Sequence, residues 1–205
     1  GSPAARQAEI YRAAGQSEEA ALMDALAAQP QVVYLAGGTP EEVRARVEAT
    51  VAAARAQRQL PVFAAYNLPG RDCSQYSGGG ANTEGEYRAW IDALARGIGA
   101  ERAVVLVEPD GVALPPTEPW CGEAGGGFSG APEDLSRFDE RFRELRYAVR
   151  RLGGLPRVDV YLDAGHSAWH PLNDYDAYYG EPRLQFGVVN RLLLAGVGEA
   201  AGFFL

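Results

Sequence analysis

Three short segments of the chain each supply a carboxylate, and two of them also supply aromatic rings. They are Tyr66-Asn67-Leu68-Pro69-Gly70-Arg71-Asp72-Cys73, Val107-Glu108-Pro109-Asp110 and Tyr161-Leu162-Asp163-Ala164-Gly165-His166-Ser167-Ala168-Trp169. Two carboxyl groups flanking a cleft can cleave an acetal. One protonates the leaving oxygen while the other helps water or stabilises positive charge. Flat rings stack on the apolar face of a pyranose. These residue types therefore suit a sugar site.

The elements that must position them follow an alternating pattern. Apolar runs at 32–35, 61–66, 103–107, 158–162 and 202–205 read as buried strands. Helical patterns lie between them, over about 83–97, 136–152 and 182–197, with an earlier helix over about 18–28. Thr39-Pro40-Glu41-Glu42 is a helix start, with a capping Thr, Pro at the first position and acids in the first turn. Val43, Val47, Val51 and Ala54 then repeat at helical spacing. Such β-α-β-α order implies an α/β fold with parallel strands joined by helical crossovers. All three carboxylate segments fall just after strands, where parallel sheets open their ligand clefts. The Gly- and Pro-rich stretch 111–132 is too long for a tight connection and reads as a binding loop.

Composition removes other chemistries. The 205 residues carry 19 basic groups, every one Arg, against 27 acidic ones, for a net charge of −8. Without Lys there is no P-loop lysine and no Schiff base. The two Cys, 48 positions apart, lack the close Cys spacing of a zinc finger. The acidic balance and lack of a basic run argue against nucleic acid as a partner. No run of about 18 apolar residues marks a membrane span. Cys73 and Cys121 are compatible either with a disulfide or with two buried thiols.

Taken together, YNLPGRDC, VEPD and YLDAGHSAW resemble the motifs of glycoside hydrolase family 6, the cellobiohydrolases and β-1,4-endoglucanases, in order and spacing. The resemblance runs from about Ala4 to Leu205 and includes the helical stretches EYRAWIDALA and FRELRYAVRRL. It implies a single catalytic domain over 1–205, a distorted parallel (β/α) barrel, and hydrolysis of β-1,4-glucan with inversion. It also implies Asp110 as general acid, with Asp72 beside it raising its pKa. Tyr66 would lie beneath the sugar at the cleavage point, and Trp169 would stack on the leaving-group side. Ser77 would help hold water in a loop hinged by Gly78-Gly79-Gly80. Asp163 would order the cleft or touch substrate, His166 would hydrogen-bond within the substrate site, and Arg71 would orient Asp72 by a fork of hydrogen bonds. Cys73 and Cys121 match a family disulfide, which implies a secreted, extracellular protein. The expected partner is a cello-oligosaccharide or β-glucan bound by a monomer, with no metal or cofactor.

Two departures accompany the resemblance. The family's Trp-bearing segment after the first strand is replaced by Tyr34-Leu35-Ala36-Gly37-Gly38. A parallel barrel typically takes about 250 residues, so the expected barrel is incomplete at its C-terminal side. The family's later strands and its proposed general base are then missing from the sequence. An inverting site needs that base at about 6.5–9.5 Å from the acid. The competing expectation is a non-catalytic or vestigial saccharide-binding relative, and a third is an enzyme for a different glycan.

Overall fold

The computed structural model describes residues 2–72, 76–114, 136–166, 175–176, 181–182 and 187–205. The chain divides into two compact units, Gly1–Val32 and Val33–Leu205.

The first unit holds α1 (Pro3–Ala13) and α2 (Ser17–Ala27). The Ser2 hydroxyl accepts from the Ala5 N–H at 3.2 Å, and Pro3 takes the first helical position, where a missing N–H costs nothing. Arg12 and Asp24 bridge the two helices with an ion pair. The sequence reading anticipated α2 and missed α1, whose apolar positions are sparse. Its Ser-Pro start was the available signal.

In the second unit, strands and helices alternate. They are β1 (Val33–Leu35), α3 (Pro40–Ala56), β2 (Val62–Ala65), α4 (Glu84–Ile98), β3 (Ala103–Val107), α5 (Ser136–Gly153) and β4 (Val158–Asp163). After these come a two-residue antiparallel pair, β5 (Tyr175–Asp176) and β6 (Glu181–Pro182), then α6 (Val188–Leu194) and β7 (Gly202–Phe204). The order in the main sheet is β1-β2-β3-β4-β7, and every pairing in it is parallel. The α/β class expected from the sequence is the class observed.

The pleat decides what each strand contributes. Leu35, Phe63, Ala65, Val105, Val107, Val160 and Leu162 lie on one face and are buried in the core with the helices. Val47 and Val51 of α3, Trp90 and Leu94 of α4, and Leu145 and Val149 of α5 fill that same core. Each such large side chain contributes roughly 1.5–3 kcal/mol of hydrophobic stabilisation. Helices α3 and α4 approach closely at Gly97, where a Cβ would lie 2.9 Å from Val47. Helix α3 starts as expected, with a full capping box between Thr39 and Glu42. The helix expected over 182–197 is shorter. Pro182 pairs with Tyr175 in β6, α6 begins after Gly187, and Gly196 at φ +88° stops it before a 3-10 turn at Val197–Glu199. Pro182 has no N–H for a helix, and glycine accepts the left-handed conformation that ends one.

Candidate active site

Strands β2, β3 and β4 are neighbours, and their registered rows end together at Ala65, Val107 and Leu162. The next residues are Tyr66, Glu108 and Asp163. The loops after β2 and β3 then deliver Asp72 and Asp110. The sheet therefore gathers at one end carboxylates that lie up to 91 positions apart in the chain (Asp72 to Asp163).

The backbone is strained where these residues sit. Among the described residues, four that are not glycine have positive φ, and three of them belong here: Asp72 at +44°, Glu108 at +50° and Asp110 at +66°. A left-handed backbone at a residue bearing a side chain is held only where surrounding contacts over-determine it.

Asp110 is half-buried. Burial pushes its carboxyl above the usual carboxylate range, and the negative charges of Asp163 and Asp72 push it further in that direction. Asp163 is also raised by burial, against the pull of N–H groups from Gly165 and Asp110. The Tyr66 phenol is pushed up to about 12, by burial first and then by Asp72 and Asp110. Three carboxylates and a neutral phenol thus share one electrostatic environment, in which Asp110 and Asp163 are both shifted toward their protonated forms.

The loop after β2 is built around Arg71. Its guanidinium carbon lies 4.7 Å from the centre of the Tyr66 ring, and its Nε donates to the Ser77 carbonyl at 3.1 Å. Its backbone bridges Gly79 in both directions, at 3.1 and 3.3 Å. The direct fork from Arg71 to Asp72 expected from the sequence is not formed. Arg71 supports Asp72 through Ser77, whose own N–H reaches the Asp72 carboxylate. Tyr34 meets Tyr66 edge-on, with ring centres 6.2 Å apart. Ser77 and His166 are exposed. Trp169, Cys73 and Cys121 lie outside the described residues, as does the disulfide expected between the two cysteines. Among the described residues, no group of three His, Cys, Asp or Glu side chains is arranged to hold a metal.

Four supporting residues were not singled out from the sequence. The Glu108 carboxylate is fully buried and accepts from the N–H of Asn67 at 2.9 Å and of Leu68 at 3.0 Å. Burial pushes it up to about 7, against those two N–H groups. The Tyr87 phenol lies against the same carboxylate, without a well-aligned hydrogen bond. Arg141, 1% exposed, reaches carbonyl groups of both loops. Arg191 donates to the Ala113 carbonyl at 2.8 Å. A signal for Arg141 was present, because it sits on the apolar stripe Phe138-Phe142-Leu145 of α5, where a charge is out of place.

A family model described as Glycosyl hydrolases family 6 matches residues 1–191. Endoglucanase 1 of Streptomyces sp. (strain KSM-9) is 32% identical over an alignment of 190 residues that covers 83% of this chain and 47% of that protein. Endoglucanase A of Cellulomonas fimi is 32% identical over 199 residues, 95% of this chain and 37% of the relative. This chain therefore spans about half, or less, of the length of these curated relatives. Among solved structures, the endoglucanase Cel6 from Mycobacterium tuberculosis was determined with methyl-cellobiosyl-4-deoxy-4-thio-β-D-cellobioside. It is 35% identical with a TM-score of 0.70, covering 89% of this chain and 53% of that one. Endoglucanase CEL6B from Humicola insolens, 20% identical with a TM-score of 0.67, shares the fold over 98% of this chain and 57% of its own.

Proposed function

The chain belongs to glycosyl hydrolases family 6, and from that premise we propose that residues 1–205 are part of a catalytic domain hydrolysing β-1,4-glucosidic bonds of cellulose or a related glucan with inversion. One observation carries the reading: Asp110 stands half-buried at the end of β3, with burial and the charges of Asp163 and Asp72 favouring its protonated form. A carboxylic acid that keeps its proton near neutral pH can deliver it to a leaving oxygen.

In this mechanism Asp110 gives its proton to the glycosidic oxygen as the C–O bond breaks. Water attacks the anomeric carbon from the opposite face and loses a proton to a base. Asp72 keeps Asp110 protonated and offsets the positive charge that develops on the sugar. Tyr66 lies beneath the reacting ring, and its neutral phenol supplies a flat apolar face with a polar edge. Ser77 and Asp163 order water and hydroxyl groups around it, His166 hydrogen-bonds within the site, and Trp169 stacks on the departing sugar. The same reading extends to a Cys73–Cys121 disulfide, a secreted protein and a monomer acting on cello-oligosaccharide chains.

The test is hydrolysis of a soluble cellulosic substrate by the complete encoded polypeptide and by this chain, each compared with its Asp110→Asn variant. Release of new reducing ends that the substitution abolishes supports the reading. Binding of cello-oligosaccharides without hydrolysis would leave a saccharide-binding relative instead. A mass lower by two hydrogens than the reduced chain would report the disulfide.

A further inference from the structure

Two buried charges that the proposed chemistry does not use lie beneath its two acid-bearing loops. Glu108 directs its carboxylate to the N–H groups of Asn67 and Leu68, at 2.9 and 3.0 Å, where the Asp72 loop begins. Arg141, from α5, directs its guanidinium to carbonyl groups. Nη2 donates to Pro69 at 2.7 Å and, more weakly, to Gly70 at 3.4 Å. Nη1 donates to Leu114 at 3.0 Å and, more weakly, to Gly111 at 3.4 Å. One terminal nitrogen thus serves the loop carrying Asp72, and the other serves the loop carrying Asp110.

The pattern is complementary. The Glu108 carboxyl takes the first N–H groups of the β2 loop, and the Arg141 cation takes the next carbonyl groups of that loop together with those of Gly111 and Leu114, which follow Asp110. Among the described residues the two charges form no direct ion pair, although each feels the other. A pair present for stability alone would close on itself, and such buried pairs are often replaceable by apolar residues at little cost. Here each charge is directed to backbone groups of the loops. The planar fork of Arg is the shape that reaches two loops from one side chain, which a Lys ammonium cannot do.

We propose that Glu108 and Arg141 are positioning residues that jointly set the placement of Asp72 relative to Asp110 by clamping the two loops from beneath. The proposal rests on the hydrolase reading above. Misplacing reacting groups by about 1 Å can cost up to about a hundredfold in rate, so the clamp acts on turnover more than on substrate binding.

The experiment compares the wild type with Arg141→Lys and Glu108→Gln on a soluble β-1,4-glucan. The expected result is a fall in kcat of about tenfold or more, with KM changed much less. The basic limb of the rate profile also moves to lower pH. Asp110 is faced by Asp72 from the β2 loop and by Asp163 from the end of β4, and drawing Asp72 away releases its proton more easily. Folded variants with wild-type kcat and pH profile would overturn the proposal. Should neither variant fold, amide exchange in the wild type decides: Asn67 and Leu68 exchanging as fast as exposed amides would overturn it, and strong protection of both would support it. If the complete encoded wild type hydrolyses nothing, the functional reading fails by itself. The clamp is then judged by whether Glu108→Ala, which leaves no acceptor, removes the protection of those two amides.

Discussion

The backbone N–H of Ser77 donates to Oδ2 of Asp72 at 2.9 Å. The Ser77 carbonyl is held in turn by Arg71, so both backbone polar groups of Ser77 are tied to Arg71 and Asp72. This ties the loop holding Ser77 to the charge that acts on Asp110 from the neighbouring strand end.

Asp110→Asn keeps the shape of the acid and removes its proton. The rate on a soluble β-1,4-glucan should fall by about 10²–10⁴-fold, the ordinary contribution of a positioned general acid. Cello-oligosaccharide affinity measured by calorimetry should change little.

Asp72→Asn removes a negative charge that favours protonated Asp110. The Asp110 pKa should fall, so the acid form is lost at lower pH. The basic limb of the kcat profile should therefore move to lower pH, readable in rates measured across the profile. An unmoved limb would show that Asp72 does not act on the acid.

Glu108 and Glu144 are buried carboxyls pushed up to about 7 and about 8. The folded state holds these protons more tightly than the unfolded chain, whose carboxyls titrate near the ordinary value. Their contribution is present in full below the unfolded pKa and is lost as pH rises through the folded values. Thermal midpoints should fall between about pH 5 and pH 8, by at most ~1.4 kcal/mol per pH unit for each group. Glu144→Gln should flatten that slope.

Gly80→Ala should disturb the loop behind Asp72. Gly80 has φ +104°, and a Cβ there would lie 1.9 Å from the Leu68 carbonyl oxygen. The backbone must shift to admit it, at a cost of roughly 1–3 kcal/mol. The denaturant midpoint should fall, and kcat should fall with it as the Asp72 loop moves.

Much of the fold was legible in the residues. Parallel strands buried on both faces appear as continuous apolar runs, and β3 lies where Ala103–Val107 places it. Thr39 and Pro40 announced α3 because a cap is satisfied within four residues. Helix α6 was drawn too long because Pro182 pairs with Tyr175, seven positions earlier, and no local pattern announces that pairing. The carboxylates Asp72, Asp110 and Asp163 were legible as strand-end residues.

The roles of Glu108 and Arg141 were not legible. Arg141 stood out only as a charge on an apolar helix stripe, and the carbonyl groups that accept from it lie 27 to 72 positions away. The sequence by itself determined the alternation of the main-sheet strands with α3, α4 and α5 and which ionisable groups stand at the strand ends, because caps and strand runs depend on near neighbours. Only the tertiary structure decided which of those groups act on one another. Burial and electrostatic fields depend on separation in space, and the parallel sheet brings the ends of β2, β3 and β4 to the same place.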